Sequence, residues 1–274
     1  MDKKSFKRGD TELAVYVDGE GLPVVFQHGL GGDEAQAAQN APTAAIHRLT
    51  LECRGHGASS LGNARPFSIR MFAEDVLAAA TAYGFDRFIV GGISMGAAIA
   101  LHLAHHHPHR IAGLVLVRPA WTFEASPDNL APIRAVAALI RSHPIEEAKK
   151  RFVSSEIGRR IASEAPDNFS SLLGYFDRPD ATAFASVLAD IAADGPDVTQ
   201  AAAAALAVPT LIIGNQHDAI HPLSRAQTLA NVIPGVSFVE VIAKAVDKNR
   251  HFADVQDAIA HFLASKTIRS SVPS

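Results

Sequence analysis

Gly92-Ile93-Ser94-Met95-Gly96 stands directly after the apolar run Arg87-Phe88-Ile89-Val90-Gly91 and before a long stretch rich in alanine and leucine. Read as strand, turn and helix, this segment holds Ser94 in a tight turn with strained backbone angles. Its neighbours two positions away must then lack side chains, which is what two glycines provide. The hydroxyl projects alone above a sheet, beside the N–H groups that open the helix. The competing reading is a helix start built from small residues, which a chain rich in Gly and Ala produces by chance. The strand before and the apolar helix after favour the nucleophile turn.

Leu13–Val17 and Val24–Gln27 read as strands separated by the turn Asp18-Gly19-Glu20-Gly21. Helical signal is mixed through residues 34–46, and His47–Cys53 reads as a further strand. Ile69, Phe72, Val76, Leu77 and Ala80 recur at helical spacing after Ser68, a residue type that caps helix starts. An apolar helix runs from Met95 to about His105, then strands over Ile111–Val117, Pro209–Gly214 and Val236–Ile242, and a helix over Ala258–Leu263. Short apolar runs alternating with helices define an α/β chain with a mostly parallel central sheet covered by helices on both faces.

Residues 121–208 break that rhythm. A single crossover needs only a dozen or so residues, whereas this segment holds helical stretches around 131–141, 144–162 and 180–193, punctuated by Pro144, Pro166, Pro179 and Pro196. It also concentrates aromatic residues, among them Trp121, Phe152, Tyr175 and Phe184. The segment reads as a helical cap over a pocket, on a core made of residues 1–120 and 209–274. The plainer alternative is an extra packing layer without contact to substrate.

Bulk properties narrow the classes. With 274 residues, 48% of them hydrophobic, the chain can bury a large core. A net charge of −3 gives no case for nucleic acid or an anionic membrane. The basic cluster Lys3, Lys4, Lys7 and Arg8 is not followed by an apolar run, so it is no signal peptide. One cysteine, Cys53, excludes an internal disulfide and a cysteine-based metal cluster. The expectation is a cytoplasmic protein acting on a small molecule, with no cofactor.

A serine nucleophile needs a base, and the base needs an orienting carboxylate. Both should lie at the carboxyl ends of the parallel strands. Asp218 follows the strand Thr210-Leu211-Ile212-Ile213 by a short loop, and His251 follows the last strand. The order Ser94, Asp218, His251 is nucleophile, acid, base. His102, His105, His106, His107 and His109 ride on or past the helix after Ser94 and read as surface, packing or helix-end residues. His217 and His221 flank Asp218 as a metal pair on paper, but their loop spacing with Pro222 argues against it and no metal is expected; His217 could instead line the pocket. His28-Gly29-Leu30-Gly31-Gly32 follows its own strand, and its glycines let backbone approach a ligand. The Leu30 and Met95 amides are the natural donors to a developing oxyanion. The loop lacks the Lys-Ser/Thr of a phosphate loop and the third glycine of a dinucleotide fingerprint.

Together the His28–Gly32 loop, Arg54-Gly55-His56-Gly57, the Gly92–Gly96 turn and the spaced Asp218 and His251 resemble the α/β-hydrolase superfamily, in its cap-bearing esterase, lactonase and carbon–carbon-bond hydrolase branch. The resemblance spans roughly residues 11–265. It implies Ser94 as nucleophile, His251 as base and then acid, and Asp218 as the orienting carboxylate. The Leu30 and Met95 amides would form the oxyanion hole, with His28 and Gly29 supporting that loop. Two departures stand out. Glu52 replaces the usual aspartate before the Arg54 loop, and Arg250 precedes His251 where relatives keep a small residue. Arg250 either meets an acidic substrate group or faces water beside Asp247. Trp121, His217 and Arg250 are the candidate pocket residues. The implied activity is hydrolysis of a carboxylic ester of a small, largely apolar substrate through an acyl-enzyme. Lactone opening or cleavage of a β-diketone-type carbon–carbon bond is the alternative within the fold, and a non-catalytic small-molecule receptor the alternative outside it.

Overall fold

The computed structural model describes residues 2–42 and 45–271. Eight strands form one sheet: β1 (Asp2–Arg8), β2 (Thr11–Asp18), β3 (Leu22–Gln27), β4 (Ile46–Leu51), β5 (Phe88–Ile93), β6 (Ile111–Val117), β7 (Thr210–Gly214) and β8 (Ser237–Glu240). Their spatial order is β1-β2-β4-β3-β5-β6-β7-β8. The β1–β2 and β2–β4 pairs are antiparallel and every other pair is parallel. Strand β1 lies where the sequence offered only a basic cluster; its residues pair with β2 from Asp2 opposite Val17 to Arg8 opposite Thr11.

Helices α1 (Glu34–Asn40), α2 (Ile69–Ala82) and α3 (Met95–His106) fall between the strands of the first half. Ser68 caps α2, its hydroxyl accepting the Met71 N–H at 3.0 Å. The mixed helical signal over 34–46 resolves into the short α1 and the start of β4, with residues 43 and 44 outside those described. The central strands β5, β6 and β7 are buried along their whole length. That is why they read as unbroken apolar runs rather than as alternating ones. Helix α3 is buried from Met95 through Ala104, which accounts for its lack of a polar face.

Between β6 and β7 the chain forms α4 (Ala131–Ser142), α5 (Ile145–Ser154), α6 (Glu156–Glu164), α7 (Pro166–Gly174) and α8 (Ala181–Ala193), a helical cap over the carboxyl ends of the strands, and then α9 (Gln200–Ala204), which returns the chain to the amino end of β7. The single stretch expected over 144–162 is two helices, because Ser155 leaves helical geometry and caps α6 through the Gly158 N–H at 3.0 Å. Helices α10 (Leu223–Val232), α11 (Lys248–Ala264) and α12 (Lys266–Ser271) complete the fold. Among the described residues no helix is long and apolar enough to cross a membrane.

Strand order decides what meets at the site. Because β3, β5, β6 and β7 are neighbours in space and run parallel, the loops leaving their carboxyl ends converge. Those loops begin with His28, Ser94, Arg118 and Asn215 respectively.

Candidate active site

Ser94 occupies a strained turn, with φ 56° and ψ −107°, a conformation that costs a non-glycine residue on the order of 1–3 kcal/mol. Its N–H is anchored on the Val117 carbonyl at 3.0 Å. The flanking glycines are required by contact: a Cβ at Gly92 would lie 2.6 Å from the Gln27 oxygen, and one at Gly96 would lie 2.4 Å from the same atom. The turn therefore presses against the end of β3, which brings the His28–Gly32 loop alongside the serine.

The histidine on Ser94 is His221. Its Nε2 lies 2.8 Å from Ser94 Oγ, and its Nδ1 lies 3.0 Å from each carboxylate oxygen of Asp218. Asp218 Oδ1 also accepts the backbone N–H groups of Ile220 at 3.1 Å and His221 at 2.8 Å, so acid and histidine share one turn before α10. With Nδ1–H donated to the carboxylate, Nε2 keeps its lone pair toward the serine hydroxyl. In the sequence His221 stands out only as half of a metal pair with His217. The signal that could have singled it out is its place three residues after Asp218, at the carboxyl end of a central strand.

His251 does not take the place expected of it. Asp247 caps α11, its side chain accepting the Arg250 N–H at 3.0 Å. The segment expected as a loop is therefore the first turn of a helix. That turn buries His251, whose Nδ1 donates to the Ile242 carbonyl at 2.8 Å while Nε2 has no partner among the described residues. The same turn sends Arg250 into solvent, where it pairs with Asp254 at 2.6 Å. His217 is exposed, and neither it nor Arg250 lines the cavity at Ser94.

Arg118, the residue after β6, is the second group that the sequence reading missed. Its Nε lies 3.1 Å from Asp218 Oδ2, its Nη2 also binds that oxygen, and Nη2 comes within 3.3 Å of His221 Nδ1. Burial opposes ionisation of Asp218, but the neighbouring His221 and Arg118 outweigh it and hold the carboxyl well below the usual carboxylate range. Burial pushes His221 below its ordinary value; Asp218 opposes that shift and Arg118 adds to it. His221 is thus neutral at pH 7, as acceptance of a proton requires.

The neighbouring loop is held from several sides. His28 Nδ1 donates to the Gly29 carbonyl at 2.8 Å, and its Nε2 accepts the Cys53 N–H at 3.0 Å. Burial pushes His28 down to about 4, so the ring stays neutral and keeps this tautomer. Gly29 N–H donates to Gln36 Oε1 at 2.6 Å, and Tyr175 Oη donates to the Leu30 carbonyl at 3.0 Å. Glu52 fixes the adjacent turn, its carboxylate accepting Glu34 N–H at 3.1 Å and Ala58 N–H at 2.7 Å. Behind it Arg54 and Asp75 form a buried two-point ion pair at 2.6 and 3.1 Å.

A cavity of about 110 Å³ opens on Ser94 and His221, lined also by Leu30, Arg118, Trp121, Tyr175 and Lys244. That is small against the roughly 300–1,000 Å³ of an ordinary ligand pocket. Helix α7 closes it from the cap side: Asn168 Oδ1 accepts the Ala219 N–H at 2.7 Å, and Asp167 pairs with Lys244 at 2.9 Å. Away from this site, His102, His106 and Asp197 bring ligand-type atoms within 4.8 Å of one another. There His102 Nδ1 bonds the Pro196 carbonyl at 2.9 Å and His106 Nε2 bonds the Asp197 carbonyl at 2.9 Å, tying α3 to the segment before α9.

Residues 23–247 match the family model described as alpha/beta hydrolase fold. The chain belongs to the α/β-hydrolase family. Over 247 residues it is 28% identical to the pyrrolizixenacetamide deacetylase of Xenorhabdus hominickii, covering 86% of this chain and 88% of that protein. In structure it is similar to the enol-lactonase of Burkholderia xenovorans LB400, with a TM-score of 0.68 at 22% identity over 98% of this chain and 99% of the other. A thermophilic esterase from Thermogutta terrifontis gives a TM-score of 0.68 at 21% identity, over 98% and 97% of the two chains.

Proposed function

We propose that the chain is a serine hydrolase that cleaves a short-chain carboxylic ester through an acyl-enzyme on Ser94, with residues 121–208 as its cap. The observation that carries this reading is the relay from Ser94 Oγ to His221 Nε2 at 2.8 Å and from His221 Nδ1 to Asp218 at 3.0 Å. His221 takes the hydroxyl proton as Ser94 attacks the ester carbonyl. Asp218 stabilises the imidazolium that results, and Arg118 keeps Asp218 ionised and in place. The Leu30 and Met95 amides receive the oxyanion; Met95 opens α3, so its N–H has no intrahelical acceptor. His221 then returns the proton to the departing alcohol, and water enters by the same route to release the acid.

The small cavity supports a short acyl group, and the relative named as a deacetylase is in keeping with one. The test is covalent labelling by a fluorophosphonate followed by intact mass and peptide mapping. Labelling is expected on Ser94, lost in His221→Ala and retained in His251→Gln. A folded protein that leaves Ser94 unlabelled, yet binds a small molecule beneath the cap, would instead be a receptor built on the hydrolase fold.

A further inference from the structure

The cavity at Ser94 has two electrical characters. Leu30, Ile93, Trp121 and Leu172 give it an apolar side, while Arg118 and Lys244 line it with positive charge and none of its lining residues is a carboxylate. The acids that balance these cations stand outside the lining: Asp218 beneath Arg118 and Asp167 beside Lys244. The two cations are not equivalent. Arg118 gives Nε and Nη2 to Asp218, so its position is fixed by the acid of the relay. Lys244 gives Asp167 one hydrogen bond at 2.9 Å. An ammonium carries three donors, so two remain without an acceptor among the described residues. Its side chain is 20% exposed, and a small, largely enclosed space strengthens its pull on an anion.

We propose that Lys244 binds a carboxylate carried by the acyl portion of the substrate, so that the preferred ester is the monoester of a short dicarboxylic acid. The inference rests on the serine hydrolase reading for the bond that is cleaved, but not for the recognition. The apolar wall packs the methylenes and Lys244 takes the far carboxylate by a charge-assisted hydrogen bond. An uncharged acyl chain of equal length leaves that donor unmatched.

Monomethyl succinate and methyl butyrate are a matched pair, each with a four-carbon acyl group, and differ in the terminal carboxylate. Trp121, the only tryptophan in the chain, lines the cavity, so its fluorescence reports occupancy. In a Ser94→Ala background, which removes turnover, monomethyl succinate is expected to bind at least about tenfold more tightly than methyl butyrate, the scale of a hydrogen bond to a charged group. Adding Lys244→Met is expected to erase that difference. Asp167→Asn frees the same lysine from its partner and is expected to preserve or enlarge it. Equal binding of the two esters, a difference that survives Lys244→Met, or an equal loss in Asp167→Asn would each overturn the proposal, the last by making the pair a cap latch only. Selective binding by a protein that hydrolyses neither ester and leaves Ser94 unlabelled would uphold Lys244 and refute the hydrolase reading.

Discussion

Tyr175, at the end of α7 in the cap, donates its hydroxyl proton to the carbonyl of Leu30 at 3.0 Å. The loop offered as half of the oxyanion hole is therefore positioned by the cap as well as by its own strand. Tyr175→Phe keeps the ring and removes only this bond, a loss of about 0.5–1.5 kcal/mol for a neutral hydrogen bond. Turnover of a short ester is expected to fall by roughly 2- to 13-fold, chiefly in kcat, with the cap still folded by circular dichroism. An unchanged kcat would show that the loop holds its place without the cap.

Two histidines are separated by substitution. His221→Ala is expected to reduce kcat/KM by about a thousandfold or more, because it removes the proton acceptor of the relay. His251→Gln leaves Ser94, His221 and Asp218 untouched and is expected to keep activity within about tenfold. Its cost falls on stability, on the order of 1–3 kcal/mol, if the Ile242 carbonyl loses its donor. Steady-state kinetics beside urea unfolding checks both, and the reverse ranking would return the role of base to His251.

On the proposed relay, the acid limb of kcat/KM is expected to report protonation of His221. Burial sets the imidazole below its ordinary value and Arg118 depresses it further, so the wild-type limb is expected below pH 6.5, the ordinary histidine value. Arg118→Gln removes a cation 3.3 Å from Nδ1. The limb should then move to higher pH, whatever happens to the plateau. A limb that stays fixed would detach Arg118 from the titration.

Stability should fall in mild acid for a reason remote from the carboxylates. Burial holds His28 down to about 4, and His56, whose ring centroid lies 4.8 Å from that of His28, is pushed well down by burial and by that neighbour. The unfolded chain takes up these protons near pH 6.5 while the folded chain refuses them. Stabilisation is therefore full above about pH 6.5 and is lost progressively toward about pH 4, by about 3 kcal/mol for His28 alone. Urea midpoints at pH 7 and pH 5 test this, and equal midpoints would contradict it.

The sequence carried the sheet well because its central strands are buried on both faces, and the strained turn at Ser94 because two glycines mark a steric requirement. It carried the choice of histidine poorly. His251 sits in the right chain order, but Asp247 is a helix cap, and a cap decides direction in space where chain order does not. Arg118 left no mark at all, since one arginine after an apolar strand reads as the start of a surface loop. Strand β1 was hidden because Lys3, Lys4, Lys7 and Arg8 read as charge, and a strand at a sheet edge needs little apolar content.

Asp218 and His221 lie on one short turn, with backbone N–H groups of that turn bonding the same carboxylate. Their mutual geometry is thus largely local in the chain, with Arg118 after β6 and Asn168 in the cap bracing the turn from outside. Only one separation in the proposed relay, that from His221 to Ser94, depends on distant parts of the fold. The acid–base pair is in effect a portable cartridge. The segment beyond β8 supplies no atom of the proposed relay, yet its Lys244 still lowers the proton affinity of His221 from the cavity wall, and a transplanted turn would need a cation in the place of Arg118 as well as a serine at the crest of its new sheet.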